Sequence, residues 1–409
     1  MKDKIFRILN ILIMLGAFMY VGARSASVSL GWTDSFFGLF VPLLSAGLVY
    51  AIHLILHEAG HLVAGLITGY KFVSFRVGSI ILIKNKEGKI ELKRMTVLGT
   101  GGQCLMCPPD VPTEECPYKL YHLMGGLTNI IVGLIGLILS IMLPKGMLNF
   151  CLFEISAVLG FMLGITNLMP TKINGTQNDG YNLVDLGRNQ FAKKALNLVL
   201  SLNALITVAD SYDDLPEELV DELISIDFIK EDLSNASIAN AFNYQAALLY
   251  VKGDYKKAYE TQRYISENND ILGIFRNEAK CECLFYEIIT DAGSEIIDAR
   301  YDKDLQKYIK ATSIYPSRQR LMYSYYGLYK KDEKKAEECM NNLEKMIDTY
   351  SVKADAILEL ETARKIDIIS STLNRESQAD SEKFLELPDS SNYRNNIVLK
   401  IKTKCSLCS

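Results

Sequence analysis

Apolar residues fall into long runs over the first 170 positions and into short, spaced groups after that. Runs at 8–22, 36–70, 121–143 and 147–170 read as membrane helices, since roughly 20 apolar residues cross a bilayer. As a helix, 36–70 would be about 50 Å long, more than the roughly 30 Å hydrocarbon core, so it is tilted, broken or extended past the lipid. Residues 72–95 change period. Val73, Phe75 and Val77 alternate, a β-branched run follows at 80–83, Asn85-Lys86-Glu87-Gly88 signals a turn, and Ile90 and Leu92 alternate again. This predicts a β-hairpin. Gly99-Thr100-Gly101-Gly102 reads as a flexible stretch without the context of a phosphate loop.

Past residue 190 the helical period takes over, with amphipathic helices expected at 195–209, 240–253, 278–290 and 318–328. Three joints resemble one another: those beginning Ser211-Tyr212-Asp213, Gly253-Asp254-Tyr255 and Lys331-Asp332-Glu333. Their spacing suggests degenerate tetratricopeptide-like hairpin repeats, with an ordinary helical domain as the alternative. The expected architecture is mainly α. A membrane bundle of about four helices with a β-hairpin insertion spans 1–190, a soluble helical domain spans 191–374, and a polar tail spans 375–409.

Charge orients this scheme. Lys71, Arg76, Lys84, Lys86, Lys89, Lys93, Arg94 and Lys119 crowd the loop at 71–120, and Lys2, Lys4 and Arg7 precede the first run. The positive-inside rule puts both on the cytoplasmic face, with the C-terminal helices, in a multi-pass protein of the bacterial plasma membrane. The first run followed by Ala23-Arg24-Ser25-Ala26-Ser27 reads as a membrane helix, with a signal peptide as the alternative. A net charge of −4 gives no reason to expect a nucleic-acid partner. Nine scattered cysteines suggest reduced thiols. Cys104, Cys107 and Cys116 share a loop but lack a fourth ligand for a zinc site, and Cys405 and Cys408 end the chain.

The chemistry lies in the second run, as His57-Glu58-Ala59-Gly60-His61. Histidines four apart on a helix share a face and can hold one Zn²⁺, with Glu58 placed to take a proton from water at the metal. Ionisable groups in a membrane helix are costly and functional by default. The motif lies about 15 Å in from the end of its helix. A third ligand is needed. Asp179, just beyond the fourth run, is on the same side as the histidines, and its alternative role is a helix N-cap. Glu154 is the rival, nearer the opposite face. His53, one turn upstream of His57, reads as a polar neighbour lining a water-filled cavity. His122 reads as interfacial. Asn129, in Gly125-Gly126-Leu127-Thr128-Asn129, needs a polar partner.

His57-Glu58-Ala59-Gly60-His61, Gly126-Leu127-Thr128-Asn129 and Asn167-Leu168-Met169-Pro170 followed by Asp179-Gly180 together resemble the site-2 protease family of intramembrane zinc metalloproteases, over about residues 36–185. The resemblance implies that His57, His61 and Asp179 hold zinc, that Glu58 is the catalytic base, and that Asn167, with Asn129, positions substrate. It implies cleavage of a membrane-embedded protein or peptide. Asn167 and Asp179 stand twelve apart, wider than the family's usual spacing, and Leu127 stands where the family often has Pro. The hairpin at 72–95 is then a candidate edge for holding unwound substrate. The helical domain could bind a protein partner. The competing reading is a non-catalytic membrane scaffold that presents this domain.

Overall fold

The computed structural model describes residues 2–29, 35–97, 100–173, 176–291 and 293–385. The chain is mainly helical, with a small antiparallel sheet in its first third. Four apolar helices come first: α1 (Lys2–Ser29), α2 (Ser35–Ile67), α3 (Lys119–Met142) and α4 (Met147–Leu168). Each is long and apolar enough to cross a membrane, which makes this a membrane protein. Their outward residues are apolar, as lipid requires: Leu12 and Met19 on α1, Leu43 and Leu48 on α2, Ile135 and Ile141 on α3. Inward, α3 packs closely on both α2 and α4, and α1 lies against α2 and α4.

Helix α1 runs antiparallel to α4. Near its start, Asn10 Nδ2 donates to Thr171 Oγ1 just past the end of α4 (3.3 Å). Near its end, Arg24 meets Glu154, one residue inside the first turns of α4. A π-helical turn over Phe150–Glu154 interrupts α4 there. The N-terminal end of α1 is therefore at the same end of the bundle as Thr171 and the segment that follows it.

The sheet is larger than the hairpin expected at 72–95. It has four strands, β1 (Lys71–Val77), β2 (Ile80–Lys84), β3 (Ile90–Arg94) and β4 (Gly102–Cys107), in the order β3-β2-β1-β4. The stretch expected to be flexible leads directly into β4, which pairs antiparallel with β1. Cys104 and Cys107, three apart on β4, point to opposite faces and do not converge with Cys116. Cys405 and Cys408 lie outside the described residues.

After α4, a two-stranded excursion (β5, Lys172–Ile173; β6, Thr176–Gln177) leads into the short helix α5 (Asp179–Asp185). The next helix, α6 (Gln190–Val208), is a fifth that is long and apolar enough to span a membrane. Its buried residues Ala195, Val199, Leu202 and Ile206 instead share a core with Phe228, Ile238 and Phe242 of the helical half.

Two of the three joints have one geometry. Gly253 and Lys331 take positive φ (83° and 55°) and end one helix, and Asp254 and Asp332 then cap the next through the backbone N–H groups of Lys257 and Lys335. The joint at Ser211 differs. It is a 3₁₀ turn closed by a capping box between Ser211 and Asp214. The last helix runs on to Leu385, past the expected start of the polar tail at 375. The helical half rests on the sheet. Ser351 Oγ donates to Arg94 O (3.0 Å), and Lys86 of the β2–β3 turn and Lys353 both reach Asp210 (2.9 and 3.2 Å).

Candidate metal centre

Helix α2 carries His57 and His61 on one face, one turn apart, and the structure brings Asp179 of α5 to them. His57 Nε2 and His61 Nε2 are 3.2 Å apart, and Asp179 Oδ2 lies 3.3 and 3.2 Å from them. Bonds of about 2.0–2.1 Å from a tetrahedral zinc place its ligand atoms about 3.3–3.4 Å from one another. The three atoms form a triangle of that size. Among the described residues, this is the group of three ligand-type side chains that converges closely enough for a metal ion.

Asp179 arrives by a specific route. The wide spacing from Asn167 is taken up by the β5–β6 excursion, which leaves the end of α4 and returns to it. Asn178 Nδ2 fastens the return, donating to Met169 O (2.7 Å) and Thr166 O (3.1 Å). Asn178 is also the N-cap of α5, accepting from the Tyr181 N–H. Asp179 is thereby released from capping and points into the triangle. Glu154 lies at the far end of α4 with Arg24, away from this centre.

The supporting residues fix the histidine tautomers. His61 Nδ1 is 2.7 Å from Tyr121 O, an acceptor only, so Nδ1 carries the proton and Nε2 presents its lone pair. For His57 the logic runs through Asn129 and His53. His53 Nε2 faces the Ser156 carbonyl (3.1 Å), so it is protonated and the neutral ring accepts at Nδ1. Asn129 Oδ1 lies 3.2 Å from His53 Nδ1, and Asn129 Nδ2 lies 3.2 Å from His57 Nδ1. A half-turn of its amide, which leaves its shape unchanged, donates to His53 and accepts from His57. His57 then also turns a bare Nε2 to the centre. Asn129 thus has both amide atoms engaged by histidines. His53, read from sequence as the lining of a cavity, is fully buried in this relay.

The rest of the set surrounds these atoms. Asn167 Nδ2 donates to Asp179 Oδ2 and lies 3.2 Å from His57 Nε2, against one edge of the triangle. His122 Nδ1 stands 3.6 Å from the other Asp179 oxygen, a role its position at a helix start did not suggest. Gly125 supplies the floor, where a Cβ would fall 2.7 Å from His57 Nε2.

Glu58 is covered by β4. The Cys104 backbone N–H donates to its carboxylate, and a Cβ on Gly102 would fall 2.8 Å from its Cγ. Cys104 O accepts from the Tyr121 hydroxyl (2.7 Å). The outward edge of β4 is therefore used at Cys104, and that of β3, the other outer strand, is used at Arg94 by Ser351. Burial pushes the Cys104 thiol up to about 12, so it stands beside Glu58 as a neutral thiol. Arg76, one of the basic residues of the 71–120 loop, is buried. Its guanidinium bonds to Gly78 O (2.7 Å) and Thr100 Oγ1 and reaches Gly102 O (3.4 Å), pinning the approach to β4. Burial lowers its pKa, and the nearby Glu58 carboxylate partly restores it.

Fold and site together define a membrane protein, mainly helical, with a partly buried His–His–Asp cluster and a carboxylate beside it. Compared with family models, with curated proteins and with solved structures, the chain matches none.

Proposed function

We propose that the chain is an intramembrane zinc endopeptidase of the site-2 protease kind, cutting a membrane-embedded protein or peptide. The observation that carries this reading is the triangle of His57 Nε2, His61 Nε2 and Asp179 Oδ2 with Glu58 next to it on the same helix turn. The donor set, two imidazoles and a carboxylate, suits zinc with an open position. Bound there, the metal would polarise a carbonyl and ease the ionisation of water.

The chain's own residues supply the rest. Glu58 accepts a proton from the attacking water and returns it to the leaving amide nitrogen. The Cys104 N–H holds the Glu58 carboxylate in place for both transfers. The Asn167 amide donates at the edge of the site, where a substrate carbonyl would lie. A helical substrate must be unwound to present a peptide bond, and β3, an outer strand of the sheet, offers the freed strand a place to pair over the residues before Arg94. The basic loop at 71–120 and the helical half, which is tetratricopeptide-like, face the cytoplasm by the positive-inside rule. The intact Glu58 favours an enzyme over a scaffold, which has no need of a base.

The test uses full-length protein in lipid nanodiscs. It is expected to hold one zinc per chain and to cut labelled single-span peptides. A chelator should stop cleavage and added zinc restore it. Protein that holds no zinc, or cleavage that survives chelation, would overturn the reading.

A further inference from the structure

The helical half carries a partly open cavity of about 400 Å³, within the usual range for small-ligand sites and too small for a folded partner. Its wall is chemically distinctive. Seven tyrosines line it, together with Glu278, Glu282, Asp355 and Glu359. Two guanidinium groups answer the four carboxylates. Arg320 pairs with Glu282 (2.7 Å) and Glu359, and Arg318 pairs with Glu278. Four acids against two bases leave an excess of two negative groups, and among the described residues Asp355 has the Tyr212 hydroxyl (2.9 Å) as its partner and no cation. Burial pushes Asp355 up to about 6 and raises Glu359 against the pull of Arg320.

Two further atoms call for a ligand. Gln262 Oε1 and Arg320 Nη1 are buried without a hydrogen-bond partner, and their residues are 6% and 3% exposed. Both residues line the cavity. One is an acceptor and the other a donor, and leaving either unpaired is costly. A turn of either side chain toward the cavity would bring it to the N–H or C=O of a peptide unit. Tyrosine faces suit aromatic and cationic side chains.

Position links the cavity to the metal centre. Val97, from the segment between β3 and β4, forms part of its wall. Arg76 is close enough to both Glu58 and the cavity's Tyr315 for each to act on its charge. The cavity therefore borders the segment of chain that precedes β4.

We propose that this cavity binds a short extended peptide segment carrying lysine or arginine, namely the soluble flank of the membrane-embedded substrate, and so delivers the adjoining span to the metal centre. This rests on the protease reading for its purpose but not for its binding chemistry. Cytoplasmic flanks of membrane spans are rich in Lys and Arg, which fits the excess acid.

The test uses full-length Glu58→Gln protein in nanodiscs at pH 7.5. Fluorescein-labelled Gly-Lys-Phe-Lys-Ala and Gly-Glu-Phe-Glu-Ala serve as probes, read by anisotropy. The basic peptide is expected to bind saturably and at least tenfold more tightly than the acidic one. Asp355→Asn and, separately, Gln262→Met should each weaken it at least fivefold without lowering the melting temperature. Asp227→Asn, outside the cavity, should not weaken it. No binding, equal binding of the two peptides, or binding unchanged in both cavity variants would overturn the proposal. A chain that binds the basic peptide but cleaves nothing would remove the protease reading and leave the cavity assignment standing.

Discussion

At the scale of single residues, the pairing of Glu154 with Arg24 divides the membrane bundle into two polar ends. Arg24 Nε and Nη2 each lie 3.0 Å from a Glu154 oxygen, and the Tyr20 hydroxyl adds a third donor at 3.2 Å. Glu154→Ala should keep its zinc and lose roughly 1–3 kcal/mol of stability, as for a charged hydrogen-bonded group. Thermal melts in micelles alongside metal analysis would check this. Asp179→Ala should lose the metal instead. The Asn129 relay makes a second prediction. Asn129→Ala should weaken zinc binding about 10–100-fold, measured by chelator competition, because the His57 tautomer is no longer fixed. An unchanged affinity would leave Asn129 as packing only. His57, Glu58 and His61 were legible in the sequence because helix geometry alone relates residues one turn apart. His122, Arg76 and the partners of Asn129 were not, because each acts on a residue of another element.

At the scale of elements, the sheet shows where pattern reading stops. Strands β1 to β3 alternate or run β-branched, and so declared themselves. Strand β4, Gly-Gln-Cys-Leu-Met-Cys, has no clean alternation and follows two glycines, which read as a flexible stretch. Gly102 is there because Glu58 packs against its Cα. Gly102→Val should therefore push Glu58 aside. It is expected to cut peptide cleavage about 100-fold, the usual result of misplacing a catalytic group by about an ångström, while zinc content holds. The unusual spacing between Asn167 and Asp179 was visible in the sequence. The β5–β6 excursion that absorbs it was not, since two-residue strands carry no periodic signal.

At the scale of the whole molecule, long apolar runs announced four of the five helices that are long and apolar enough to cross a membrane, because hydrophobic length is a property of the chain alone. The fifth such helix, Gln190–Val208, shows the limit of that signal. Its apolar face fills a core with neighbours that the sequence pattern did not pair with it. The helical half also carries a pH dependence. Asp355 faces Tyr212, Tyr244, Tyr350 and Glu359, and burial raises its pKa to about 6 from an ordinary value near 4. Between those values the folded chain holds a proton that the unfolded chain releases, so this group's contribution to stability falls as pH rises from about 4 to 7. Asp355→Asn removes that loss. The variant should gain up to about 2 kcal/mol over wild type at pH 8 and little at pH 4, read from paired melting curves.

The central claim is that Glu58 serves proteolysis within the membrane. Its most direct test compares the membrane peptides of cells expressing wild type with those of cells expressing Glu58→Gln, each isolated in native membranes with zinc content measured. Uncut membrane-spanning chains should accumulate in the Glu58→Gln cells, and their shortened products should appear only with wild type, at equal zinc. Identical peptide sets, with zinc bound in both, would contradict the account.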